Sequence, residues 1–326
     1  DITPIRRTVT LGANPITTQS AGTGIIKVTD VGHGATLGDF VTFSGATAVD
    51  GLTTANLNKE QEVTSVIDAN SYLVNTGGAC TSGSTAGGGS SVVAAYQINI
   101  GLNTTILGPG WGAGTWGRFT WGSGAGSLAG QSLRLWFADD FGEDLLMNIA
   151  DQDIYYWDAS LGVNARAVPL SSLAGASDVP TVARKVLVSE VDRHVLCFGA
   201  NPIGESTQDP LLIRWSSQES PTDWTPTATN TAGDIRLSQG SEIVTALRTT
   251  RQILVWTDHS LHSLQFLGPP YTFGTALLGD NIRIAGPNAA ISVNDIVFWM
   301  GQENFYMYDG RIQPIPCSVS QYVFSD

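Results

Sequence analysis

The run ADDFGED at residues 138–144 gathers Asp139, Asp140, Glu143 and Asp144, the residue type that glycoside hydrolysis uses in pairs and calcium uses as ligands. Calcium loops alternate their oxygen ligands around a turn glycine, and this run lacks that alternation. A hydrolytic pair must sit about 5 or 6.5–9.5 Å apart across a sugar, a distance that linear spacing does not set. The run therefore reads as a solvated turn between strands, and Asp151 and Asp153 in DQDIYYWD read as caps of a hairpin turn. His33, His194, His259 and His262 are scattered, and the i, i+3 pair His259/His262 lies in strand context, where that helical ligand spacing has no meaning. Cys80, Cys197 and Cys317 form no CxxC pair, so free, mostly buried thiols made in a reducing cytosol are expected. GxSxG, HExxH and Cys-His nucleophile patterns are absent. No catalytic residue, cofactor, metal ligand or small-molecule substrate is assigned.

The stretch GWGAGTWGRFTWGSGAG (110–126) spaces Trp111, Trp116 and Trp121 five residues apart among glycines. It contains GxGxxG at Gly112, Gly114 and Gly117, but no strand-to-helix context and no Gly-Lys-Ser/Thr ending, so phosphate binding is not indicated. Such rings stack on sugars or bases, and more commonly bury against another protein surface.

The elements that position these residues are strands. Only 14% of the 326 residues are charged, the net charge is −13, and Gly, Ser and Thr are abundant. That balance suits short strands and tight turns, and it argues against gripping phosphates, which requires basic contacts. No apolar run is long enough to span a membrane as a helix. Asp1 in place of methionine, and the ending YVFSD, suggest a piece of something longer. Residues 11–97 alternate apolar and polar positions and read as a small antiparallel β domain, with a flexible Gly/Ser-rich loop at 78–91.

Beyond residue 130 a hairpin recurs: LLMNIADQDIYYWD, HVLCFGA…LLIRWSS, ILVWTDHSLHSLQF and IVFWMGQENFYMYDG. Their turns at Asp151, Gly199, Asp258 and Gly301 are separated by 48, 59 and 43 residues. A four-stranded propeller blade takes about 40–50 residues. Strands apolar on both faces, such as IVFW and ILVW, fit sheets stacked round an axis; a β-sandwich with similar hairpins is the competing architecture. The expected fold is all-β, a complete or partial β-propeller formed by residues 1–10 and 98–326, with 11–97 inserted.

The phrases WSSQESPTDWTP (215–226), GPNAA (286–290) and MYDGR (307–311), with the Gly/Trp stretch and the DITP opening, resemble the β-propeller tail proteins of short-tailed bacteriophages, the nozzle, tail-tube or DNA-stabilising tail adaptor proteins. The resemblance covers about two-thirds of the chain. It implies a virion tail component, made in host cytoplasm, whose copies form a sixfold ring around a DNA channel and take part in genome retention and ejection. Its partners would be other copies, neighbouring tail proteins (adaptor, fibres or spikes) and, transiently, passing double-stranded DNA. An acidic wall would let DNA slide past. On this reading Trp111, Trp116 and Trp121 pack at a contact within the ring or against an adjoining tail protein. A carbohydrate-binding propeller adhesin is the alternative, and a propeller glycosidase using the 138–144 acids a third.

Overall fold

The structure is a computed structural model that describes residues 4–98, 135–189, 192–268 and 271–324. It divides into two compact units, Asp1–Arg134 and Leu135–Asp326. The Gly/Trp stretch, with Trp111, Trp116 and Trp121, lies outside the described residues. No helix among the described residues is long and apolar enough to cross a membrane.

The first unit is one eight-stranded antiparallel sheet. Its strands in chain order are β1 (Ile5–Thr10), β2 (Ile16–Thr18), β3 (Ile25–Thr29), β4 (Phe40–Ser44), β5 (Glu60–Asp68), β6 (Ser71–Asn75), β7 (Ala86–Gly87) and β8 (Val93–Gln97). They are ordered β1-β8-β4-β5-β6-β3-β2-β7 across the sheet. Period-two alternation sends Ile26 and Val28 of β3, Val41 and Phe43 of β4, and Tyr72 and Val74 of β6 into a single core.

Two expectations need correction here. The sequence assigns residues 1–10 to the propeller, but β1 pairs with β8 in the first sheet, Val9 opposite Ala94 and Thr10 opposite Val93. Ladder bonds and the ion pairs Arg7–Asp30 (3.1 Å) and Arg6–Asp39 (3.7 Å) hold it there. The 78–91 loop is ordered, because β7 pairs with β2 and the Asp50 carboxylate gathers the loop around it. That carboxylate accepts from the Ser82 hydroxyl (2.7 Å) and amide (2.9 Å), the Gly83 amide (2.7 Å) and the Thr18 hydroxyl (2.9 Å). The Ser82 hydroxyl foremost, then the amides and Thr18, hold its pKa down at about 2 against desolvation. Gly83 is needed at its position: φ is +77° and an added Cβ would stand 2.9 Å from the Gln19 carbonyl oxygen.

The second unit is four consecutive four-stranded meanders. The first holds β9 (Trp136–Phe141), β10 (Asp144–Ile149), β11 (Ile154–Trp157) and β12 (Val168–Pro169). The second holds β13 (Lys185–Val188), β14 (Val195–Phe198), β15 (Leu212–Trp215) and β16 (Gly233–Arg236). The third holds β17 (Ile243–Arg248), β18 (Ile253–Thr257), β19 (Ser260–Gly268) and β20 (Thr272–Asp280). The fourth holds β21 (Ala290–Val293), β22 (Ile296–Met300), β23 (Phe305–Tyr308) and β24 (Ile312–Ile315). The turns at Asp151, Gly199, Asp258 and Gly301 each join the second and third strands of one sheet, as the repeat predicts.

Strands apolar on both sides explain the stacking. In β14, Val195 and Cys197 join a core with Leu146 and Ile154 of the first sheet, while Leu196 and Phe198 join a core with Ala246 and Val255 of the third. In β18, Ile253 and Val255 face the second sheet, and Leu254 and Trp256 pack with Val297 and Trp299 of the fourth. Each fully buried Val, Leu, Ile or Phe among them contributes about 1.5–3 kcal/mol of transfer free energy. First strands adjoin in series, β9 with β13, β13 with β17 and β17 with β21. This is a propeller-like β fold, with successive sheets sharing cores face to face.

Candidate functional site

The acids of residues 138–144 divide by location. Asp140 and Glu143 are exposed, as a solvated turn requires. Asp139 and Asp144 are structural instead. Asp139 Oδ2 accepts from the Val188 amide (2.8 Å) and from Arg248 Nη1 (3.1 Å), and Arg248 Nη1 also donates to the Val188 carbonyl (2.6 Å). One carboxylate thus ties together the first strands of three successive sheets. Desolvation raises its pKa, opposed by the Val188 amide and Arg248. Asp144 accepts from the Tyr156 hydroxyl and from the Ala159 amide (2.9 Å).

Asp151 sits in its turn at φ +60° and accepts from Gln208 (2.8 Å) and Arg184 (3.0 Å), the latter also reaching Glu242 (2.7 Å). The hairpin turn is therefore also an inter-sheet tie. Asp153 accepts from the Ile154 amide (2.9 Å), and desolvation pushes its carboxyl up to about 6. An acid whose folded pKa exceeds its unfolded value of 3.8 destabilises the fold progressively as pH rises between those values, and fully above about 6. Asp153→Asn is therefore expected to raise stability by about 1–2 kcal/mol at pH 7, a figure reduced for solvent screening at a partly exposed site. The gain should fade as pH falls through 6 toward 4, read from urea midpoints.

The histidines are structural. His33 Nδ1 accepts from the Ala35 amide (2.9 Å), which puts the proton on Nε2, facing the Asp68 carbonyl at 3.0 Å. His194 Nε2 meets the Thr231 hydroxyl at 3.0 Å, and burial holds its pKa down at about 4. His259 meets Arg283 at 3.0 Å, and His262 meets the Ser260 hydroxyl at 2.9 Å. Among the described residues no three His, Cys, Asp or Glu side chains converge as metal ligands. The three cysteines are free, with Cys80 and Cys197 buried.

The phrase WSSQESPTDW is a packed connector from β15 to β16. Trp215 Nε1 donates to the Thr231 carbonyl (2.8 Å), Trp224 Nε1 to the Pro221 carbonyl (2.8 Å), and the Ser217 amide to the Asp223 carbonyl (2.7 Å). Arg214, buried beside it, donates to the carbonyls of Asn201 (3.1 Å) and Asp178 (2.5 Å) and lies 5.9 Å from the Trp224 ring centre.

The described residues do form a cavity of about 310 Å³. In a meander the first-to-second and third-to-fourth turns share one end, so the cavity lies opposite the repeat turns. Ser189 and Asp192 reach it from the β13–β14 turn, Arg248 and the residues up to Gln252 from the β17–β18 turn, and Phe266 and Phe273 from the β19–β20 hairpin. Sequence reasoning missed it because its walls come from strand ends and turns of the second and third sheets, with Ser292 of the fourth, which only the stacking of sheets brings together. The signal in the sequence was the apolar pair Phe266-Leu267, near the end of β19.

No family model matches the sequence, and no curated protein matches it. Among solved structures, the phage phi92 endosialidase is similar at 9% identity and a TM-score of 0.24, over 94% of this chain and 39% of that one. Kluyvelomyces marxianus Hsv2 is similar at 8% identity and a TM-score of 0.31, over 55% of this chain and 47% of that one. The chain spans less than half the length of either. Likeness of this degree assigns no residue.

Proposed function

We propose that the chain is a structural component of the tail of a short-tailed bacteriophage, a nozzle or tail-tube subunit that rings the DNA channel in six copies and takes part in genome retention and ejection. The sequence phrases that resemble such proteins support this reading, and the one at 215–224 forms a packed connector between β15 and β16. The observation that carries it is the face of the fourth sheet turned away from Trp299, which Phe324 covers only at Phe305, 5.2 Å between ring centres. Cross-strand partners Ile291 and Phe298, and Val293 and Ile296, lie on the side away from Trp299, with Ile291 61% and Val293 47% exposed. An apolar strand left exposed at the edge of such a face is the kind of surface that assembly covers. The net charge of −13 suits a wall that DNA must slide past.

Native mass measurement and negative-stain imaging of the chain test the reading, with a sixfold ring as the expected result. Trp116→Ala with Trp121→Ala should weaken the ring and leave folding unchanged. A monomer at tens of micromolar, or a ring indifferent to both changes and to Phe298→Asp, would count against it.

A further inference from the structure

We infer that the 310 Å³ cavity between the second and third sheets is a saccharide site, in which Asp192 accepts from vicinal hydroxyls of a neutral hexopyranoside and the Phe266 ring stacks on the sugar's C–H face. The inference is independent of the tail reading. β18 pairs with β19 only as far as Leu264, whereas β19 and β20 continue together through Phe266–Phe273 and Gly268–Thr272. The hairpin tip thus runs past the end of its sheet. Phe266 there is 39% exposed, while the rings of Phe273 and His194 back it at 5.5 and 5.8 Å. A ring held from behind and open in front is a stacking platform.

Asp192 lines the wall below. It is 8% exposed, and its carboxylate accepts from the Ser189 hydroxyl at 3.4 Å, its one side-chain partner among the described residues. A buried carboxylate with one long hydrogen bond is costly unless further donors reach it, and desolvation raises its pKa. A bound metal ion would not fit, since Arg248 and Arg251 line the same cavity. A simple anion is a poorer fit, since Asp139 already engages Arg248 and Asp295 lies 3.7 Å from Arg251. Hydroxyls of Ser189, Thr249 and Thr250 beside an aromatic face match a ligand that is half polar and half apolar. The volume stands at the low end of the roughly 300–1,000 Å³ of small-ligand sites, enough for one sugar unit.

Saturation-transfer NMR on the full chain tests this, with methyl β-D-glucopyranoside, methyl β-D-galactopyranoside and methyl α-D-mannopyranoside as neutral probes and N-acetylneuraminic acid and L-glutamate as anionic ones. At least one neutral glycoside should bind saturably in the millimolar range. Asp192→Asn and Phe266→Ala should each weaken that binding about tenfold, the effect of losing a charged hydrogen bond or a stacking face. Asparagine is nearly isosteric and removes a buried charge, so Asp192→Asn should melt no lower than the parent, and Phe266→Ala, which gives up its contacts with Phe273 and His194, should still melt cooperatively. The proposal is overturned if no neutral glycoside binds, if binding is the same in both variants, or if only the anionic probes bind. Ring mass does not enter this readout, so its failure and failure of the tail reading are separable.

Discussion

Trp256→Ala should lower the stability of the four-sheet unit by about 3–5 kcal/mol, the cost of emptying a large buried aromatic site. Trp256 is fully buried in the core shared by the third and fourth sheets. Its ring centre lies 5.6 Å from that of Trp299, edge to face at 65°, and Trp299 stacks at 5.3 Å on Tyr306. Those rings fill the space between two sheets that no ladder bonds join, so the cavity has nothing local to close it. Both indole nitrogens, of Trp256 and Trp299, are buried without a hydrogen-bond partner. The stabilisation therefore comes from ring area and packing. Trp256→Phe, which keeps most of the ring and removes an unsatisfied donor, should cost only about 1 kcal/mol. Hydrogen exchange of β18 and β22 amides against urea would separate the two variants. Equal losses would show that a phenyl ring does not keep the packing that holds this core.

The four-sheet architecture was legible because its cause is local. Strands such as ILVW and IVFW are apolar at consecutive positions, which only burial on both faces explains, and each is followed by a polar turn at a blade-length interval. The fate of residues 5–10 was not legible, since IRRTVT alternates weakly and its partner VAAYQ lies more than eighty residues away. Ordering of 78–91 was hidden for a similar reason. Its composition is that of a loose linker, and the residue that fixes it, Asp50, stands in a distant turn. Charges misled most. Asp139 and Asp144 look like solvated acids in the sequence, yet one spans three sheets and the other holds Tyr156, because bonding across sheets depends on which strands become neighbours. The cavity shares that property: Asp192 lies between β13 and β14, Arg248 ends β17 and Phe266 lies in β19.

The Asp139 tie gives the second large effect. Its side chain is 11% exposed and that of Arg248 is 27% exposed, at 3.1 Å. Removing one member of a buried pair leaves the other charge uncompensated, which costs about 3–5 kcal/mol in full burial. Arg248 is partly solvated and the Val188 amide still binds Asp139, so about 2–4 kcal/mol is expected for Arg248→Met at pH 7. The sign of the pH dependence follows from the carboxyl. Desolvation already raises the folded pKa of Asp139 above its unfolded value, and loss of the guanidinium raises it further. The folded state then binds more protons than the unfolded one, so stability falls as pH rises through the folded pKa. The deficit of Arg248→Met should accordingly be smallest near pH 4 and grow toward pH 7 in urea midpoints. Adding Asp139→Asn keeps an acceptor for the Val188 amide and removes the charge, so the double variant should regain much of the loss and lie flat across that range. If it remains as pH-dependent as the single variant, the carboxylate that joins the first three sheets is not the group being titrated.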